Sequence, residues 1–275
     1  MTYLESTSAP STVPLDMDRP NGSRLYDYFL GGTSYLPVDR DAGEEIAREA
    51  PHWALGVRLT RTFARRAVQT MANAGVEQFL DLGAGVTAGG TVHELARLVN
   101  PAARTVFVNR EPIAYELGRQ LVGDDPGAGV LKLDVRDADA VLKHPVTRGL
   151  IDFDRPVGLL AVGTFVLLGD RGDPGRLLRR YRSVMVPGSM IALSHVSGES
   201  AHPEIAAELR WMRRRYERSS IPLDMHPRAE ILSWLDGTEI LEPGLVRYGR
   251  WRPEFPLTEA QLRCDYGYVG LGRIV

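Results

Sequence analysis

From Gln78 onward the chain alternates short apolar runs with amphipathic stretches, and this alternation limits the possible folds more than any other feature. Runs at 78–82, 104–108, 129–133, 157–162 and 189–194 read as buried strands. The segments between them, at 91–99, 112–122, 137–143 and 173–185, carry apolar residues at helical spacing. Repeated strand-helix units join parallel strands by right-handed crossovers, so the pattern predicts an α/β architecture with a sheet covered on both faces. The helix at 173–185 is bounded by Asp173 as N-cap, Pro174 at its first position and Pro187-Gly188 beyond its end. Further helices are expected near 203–218 and 227–235. Strands near 243–248 and 266–272 then form a hairpin at the sheet edge.

Upstream of the first strand the texture is different. Residues 1–20 are rich in Ser, Thr and Pro and read as a flexible arm. Residues 21–75 read as a helical cap, and 76–275 as the α/β domain. The cap opens with a short amphipathic helix that is stopped by Gly31-Gly32. Helices at 39–50 and 54–73 follow, the second with Leu55, Leu59, Phe63 and Ala67 on one stripe.

A formal net charge of -2 offers no basic surplus for a nucleic-acid partner. The local cluster Arg210, Arg213, Arg214, Arg215 and Arg218 shares its helix with Glu204, Glu208 and Glu217, and reads as a solvated face. The single cysteine, Cys264, excludes an internal disulfide and leaves no metal-ligand spacing. The N-terminal residues lack the apolar core of a signal peptide, and no run has the roughly 18–20 apolar residues of a membrane span. A soluble cytoplasmic protein is expected.

The chemistry centres on Phe79-Leu80-Asp81-Leu82-Gly83-Ala84-Gly85, a strand running into an acid and two close glycines, which let a backbone turn sharply against a ligand. Gly83-x-Gly85-x-x-Ala88 formally matches a dinucleotide fingerprint. A pyrophosphate, however, wants the helix N-terminus at once, whereas here the helical pattern starts only at Thr91, with Glu94 in its first turn. A cofactor without phosphates suits the loop better.

Taken together, Tyr26-Asp27-Tyr28-Phe29-Leu30-Gly31-Gly32, Asp39-Arg40, the Asp81 loop, His93-Glu94, Asp154-Arg155-Pro156, Leu193-Ser194-His195 and Glu242-Pro243-Gly244-Leu245-Val246 resemble a bacterial S-adenosylmethionine-dependent methyltransferase family, long known only as a domain of unknown function. The resemblance spans residues 19–275. It implies a Rossmann-like class I methyltransferase sheet of seven strands, the last antiparallel, with S-adenosylmethionine across the first strands. Asp81, Gly83 and Gly85 would wrap the cofactor's amino-acid part, and Asp134, flanked by Val135, would meet its adenine. Tyr26, Asp27, Tyr28 and Gly31-Gly32 would cap the site.

The chain departs from that family where the ribose should lie. A Val-Asp-Asn-Asp-Pro pattern is expected after the second strand, and the chain has Val108-Asn109-Arg110-Glu111-Pro112. An Asn carbonyl accepts a hydroxyl hydrogen bond without charge assistance. After the fourth strand, Thr164-Phe165-Val166-Leu167 replaces a Leu-His-Phe pattern. His195, at the end of the fifth strand, is the candidate base, with Tyr28 and Asp27 as candidates for positioning an acceptor. Each also has a structural reading: Asp81 and Asp134 as loop and helix caps, Glu111 as a helix N-terminal acid, Tyr26 and Tyr28 as core aromatics, and His195 as a hydrogen-bonded core histidine. The leading expectation is methyl transfer to a small molecule, with secondary metabolites among the candidates. The alternatives are a methyltransferase-like cyclase or isomerase, a metabolite-binding protein, or a nicotinamide oxidoreductase.

Overall fold

The computed structural model describes residues 17–83, 90–169, 172–200, 202–217 and 223–275. Gly85, the Val86-Thr87-Ala88 stretch, Arg218 and the arm up to residue 16 lie outside the described residues.

Three helices come first: α1 (Gly22–Phe29), α2 (Pro37–Glu49) and α3 (Trp53–Asn73). The alternating region then gives β1 (Gln78–Leu82), α4 (Val92–Arg97), β2 (Arg104–Val108), α5 (Pro112–Val122), β3 (Ala128–Leu131), α6 (Ala138–Lys143), α7 (Pro145–Leu150) and β4 (Gly158–Val162). A single 3-10 turn at Phe165–Leu167 precedes α8 (Pro174–Arg182) and β5 (Met190–Val196). The last elements are α9 (Pro203–Tyr216), α10 (Arg228–Ser233), β6 (Thr238–Ile240), β7 (Val246–Arg247), α11 (Glu259–Arg263) and β8 (Gly267–Ile274).

Side chains set many of these boundaries. Thr91 and Glu94 form a reciprocal capping box on α4, Glu111 caps α5, and Asp173 caps α8 by accepting from the Arg176 amide at 2.8 Å. The third strand ends at Leu131, before the expected 133, so Asp134 stands in the turn beyond it.

The strands order as β3-β2-β1-β4-β5-β8-β6, a path of seven in which only β8 runs against its neighbours. The two-residue β7 pairs beside β6 on the same side of β8. The expected antiparallel pair of late strands is thus β7 with β8, and β8 in addition pairs β5 on its inner side and β6 further along its outer side. Pro243 lies between the two short strands, and its lack of an N–H accounts for the break.

Chain order reverses at β1, which pairs with β2 on one side and β4 on the other. That reversal opens a crevice at the strands' C-terminal ends. Period-two alternation divides the core. Phe79, Phe107 and Leu160 face α3, where Phe63, Ala67 and Met71 are fully buried at i, i+4 and i+8. Leu80, Leu82, Leu159 and Leu193 face α6, α8 and α10 on the opposite side. No helix among the described residues is long and apolar enough to cross a membrane.

Candidate functional site

The crevice holds a cavity of about 1020 Å³. Its strand-end wall is Asp81 in β1 and Gly83 just beyond it, Asn109 to Pro112 after β2, Asp134 to Arg136 after β3, and Gly163-Thr164 after β4. Its opposite wall is a stripe of α3 (Trp53, Gly56, Val57, Thr60, Arg61 and Ala64), spaced as one helical face. Gly83 has φ +72, and a Cβ there would stand 2.7 Å from Thr164 Cγ2, so glycine is required on both counts. The Thr164 hydroxyl donates to the Leu82 carbonyl and locks the two strand ends together.

Asp81 is buried and faces the cavity from the α3 side of the sheet, because it alternates with Leu80 and Leu82. Burial pushes its carboxyl up to about 7, partly opposed by the nearby Arg61 guanidinium. Burial likewise raises the Tyr26 phenol to about 12, with Arg61 lowering and Asp81 raising it. Tyr26, Arg61 and Asp81 thus share one corner of the cavity.

The β2/β3 end is crowded with ion pairs. Asn109 is buried, and its Nδ2 donates to the Ala114 carbonyl at 3.5 Å. Glu111 accepts from the Ala114 amide at 2.7 Å and from Arg24 Nη1 at 3.4 Å, so both carboxylate oxygens are engaged by the protein. Arg24, 1% exposed, also donates through Nε to Asp39 at 2.6 Å, and Asp39 in turn accepts from the Asn21 and Leu36 amides. This network ties α1 and α2 to the start of α5. Asp134 is held by Arg110 at 3.1 Å and by Arg136 at 2.6 Å. Burial alone would raise its carboxyl, but the hydrogen bonds and charge of Arg136, with Arg110, outweigh that and lower it.

The far end is aromatic. Tyr216, Tyr248 and Tyr266 line it with Trp53, Val196 and Leu223. Burial raises all three phenols far above their ordinary value. They remain protonated near neutral pH, so none of them is poised as a base. Tyr266 donates to Glu208, whose other oxygen lies 2.7 Å from His52 Nδ1. Glu208 is therefore a buried support behind the cavity, and not part of a solvated face as its helix's charge pattern suggested.

Of the residues named from sequence, Tyr26, Asp81, Gly83, Asn109, Arg110, Glu111, Asp134 and Val135 come together around the cavity. Five do not, and they are corrected here. His195 is on the opposite face of β5: Val196 lines the cavity, while His195 packs on Trp234 and its Nε2 lies 2.8 Å from His226 Nδ1. Burial, then the neighbouring His226, takes its basicity well below the ordinary histidine value. Asp27 accepts from the Ser34 amide at 2.7 Å, and its carboxylate fills the space that a Cβ on Gly32 would occupy, 2.0 Å away. Gly31 has φ +80, so the double glycine and Asp27 build the turn between α1 and α2. Tyr28 packs edge-on against Phe29 and Tyr35 and covers Gly43 of α2. Sequence reading missed Arg61, Thr164 and Arg24. For Arg61, the small and polar side chains Gly56, Thr60, Arg61 and Ala64 at helical spacing on one face of α3 were the available signal.

A seven-strand path with one reversed strand and a large cavity at the β1/β4 switch point define a class I methyltransferase fold. The chain belongs to the S-adenosyl methyltransferase family, whose model matches residues 8–275. A DUF574 family protein from Streptomyces avermitilis is 29% identical with a TM-score of 0.87, over 95% of this chain and 100% of its own. A provisionally assigned methyltransferase from Thermobifida fusca is 32% identical with a TM-score of 0.86, over 97% and 99%. An O-methyltransferase family protein from Burkholderia thailandensis, at 13% identity and TM-score 0.53 over 86% of this chain and 62% of its own, shares the fold alone. No curated protein sequence matches the chain.

Proposed function

We propose that the chain transfers a methyl group from S-adenosylmethionine to a small organic acceptor with an apolar, aromatic-sized body. The observation that carries this reading is the two-ended cavity. Its volume of about 1020 Å³ reaches the top of the roughly 300–1,000 Å³ range of ordinary ligand pockets, leaving room for two ligands side by side. The charged strand-end wall with Asp81 and Gly83 suits the cofactor, and the end lined by Trp53, Tyr216, Tyr248 and Tyr266 suits the acceptor. When bound, S-adenosylmethionine supplies a methyl group already made electrophilic by its sulfonium. The protein's part is then to align the acceptor, exclude water and offer phenol donors to its polar atoms. Secondary metabolites with an aromatic-sized apolar body are the substrate class this end favours.

A second reading, a methyltransferase-like protein that performs a methyl-free step such as cyclisation, is favoured by Asn109 in place of an acid and by the engagement of Asp134 with Arg110 and Arg136. Calorimetric titration with S-adenosylmethionine and S-adenosylhomocysteine separates the two. Micromolar binding, with homocysteine-nucleoside release when aromatic alcohols and amines are supplied, supports methyl transfer. Binding absent up to millimolar concentration would falsify it.

A further inference from the structure

Behind the aromatic end of the cavity a hydrogen-bonded chain runs from the wall to the protein surface. Tyr266 lines that end, and its hydroxyl donates to Glu208 Oε2. The same oxygen accepts from the His52 backbone amide at 3.2 Å, and Oε1 lies 2.7 Å from His52 Nδ1. Glu208 is 7% exposed, whereas the His52 side chain is 30% exposed and reaches water. The three residues come from the approach to β8, the middle of α9 and the N-cap of α3. Packing holds the phenol in place: its ring meets Trp53 edge-on at 5.3 Å, and a Cβ on Gly56 would stand 3.0 Å from its Cδ2. A buried carboxylate is costly, and a glutamine would join the same groups without charge. What a carboxylate backed by an imidazole adds is the ability to take up a proton and pass it to water. The aromatic end itself, formed by Trp53, Val196, Tyr216, Leu223, Tyr248 and Tyr266, has no acid, amine or imidazole of its own. Burial, then the bond to Glu208, keeps the Tyr266 phenol far above its ordinary value, so it does not rest as a phenolate. It can still relay, accepting a proton at its oxygen while its own moves to Glu208.

We propose that Tyr266, Glu208 and His52 form a proton exit for the methyl acceptor, and that the acceptor is a phenol. This rests on the methyl-transfer reading above. An aliphatic alcohol is too weak an acid for a carboxylate to deprotonate, and an amine sheds its proton after it has attacked. A phenol, with an ordinary value of about 10, gains most from a base during the attack itself. In that step the phenol oxygen bonds to the methyl carbon as the carbon–sulfur bond breaks and its electron pair returns to sulfur. The phenol's proton goes to Tyr266 Oη, the Tyr266 proton goes to Glu208, and one proton leaves through His52 to water. Tyr266 touches the acceptor, while Glu208 and His52 act through it.

The test uses 2-naphthol, which becomes a strong acid when excited and changes its emission once it has given up its proton. Its methyl ether, 2-methoxynaphthalene, has no proton to give and serves as the control. Both are titrated into the native chain, Glu208→Gln and Tyr266→Phe with no methyl donor present, and excited at wavelengths that tryptophan does not absorb. Naphthol bound to the native chain is expected to emit mainly as naphtholate. In either variant the ratio of naphtholate to naphthol emission should fall by about tenfold, while the methyl ether binds within about twofold of its native affinity. Neutral emission from naphthol bound to the native chain overturns the proposal, as does naphtholate emission that survives both substitutions. Parallel loss of binding by the methyl ether overturns it too, since the residues are then scaffold. If Glu208→Gln does not fold, Tyr266→Phe, which removes a single oxygen, decides by the same criteria. A native chain that binds no naphthol overturns the assignment of a phenol. Calorimetry with S-adenosylhomocysteine on the same samples separates these failures from that of the methyl-transfer reading, which fails only if the nucleoside does not bind.

Discussion

At the scale of the residue, the cavity's chemistry depends on a few side chains whose surroundings differ from what their type suggests. Asp81 is an acid whose folded value of about 7 lies above the ordinary 3.8. Between those values the folded chain holds a proton that the unfolded chain releases. Its contribution to stability is therefore complete below about pH 4 and is lost as pH rises through 7. Asp81→Asn is expected to flatten this fall, read as the difference in denaturant midpoint between pH 5 and pH 8. An ammonium prefers the ionised carboxylate, so S-adenosylhomocysteine should bind more tightly at pH 8 than at pH 6, with proton release visible as a dependence of the binding enthalpy on buffer. Asn109 is the complementary case, a neutral amide in the cavity wall where the ribose of the proposed cofactor would favour a charge. Asn109→Asp is expected to tighten S-adenosylhomocysteine binding by about five- to tenfold in the same titration.

Elements decide which of two adjacent residues reaches the cavity. On β5 the alternation places Val196 in the cavity wall and His195 in the opposite core, against Trp234 and His226. His195→Ala is therefore expected to lower the unfolding free energy by about 2–3 kcal/mol through lost packing and one lost hydrogen bond. The nucleoside affinity of the folded variant should stay within about twofold. The turn after α1 is equally specific. Gly32→Ala would drive a methyl into the Asp27 carboxylate, which is fixed by the Ser34 amide. It is expected to cost about 1–3 kcal/mol in chemical denaturation. Most of these elements were legible, because β1, β2 and α5 have strong periodicity and clear caps. The short α7 and β6 were not, since runs of three to six residues carry too little period to read.

At the scale of the whole molecule, the Arg24 network closes the cavity by joining α1 and α2 to the helix that follows β2. Arg24→Met would leave Asp39, 0% exposed, and Glu111 without their cation. Breaking such a buried pair is expected to cost about 3–5 kcal/mol, and it should loosen the first two helices, read as faster proteolysis within residues 17–50 than in the native chain. The sequence by itself determined the α/β class, the positions of the first five strands along the chain and the cluster of Asp81, Gly83, Asn109 and Asp134 at the strand ends. Each follows from local period, capping and strand-end position, which neighbouring residues encode. Only the tertiary structure decided that Arg61 crosses from α3 to face Asp81, that His195 turns away, and that Asp27 with the double glycine builds a turn rather than a site. Those outcomes depend on which face of one element meets another distant in sequence, and the physics that sets them is packing and charge pairing across the sheet.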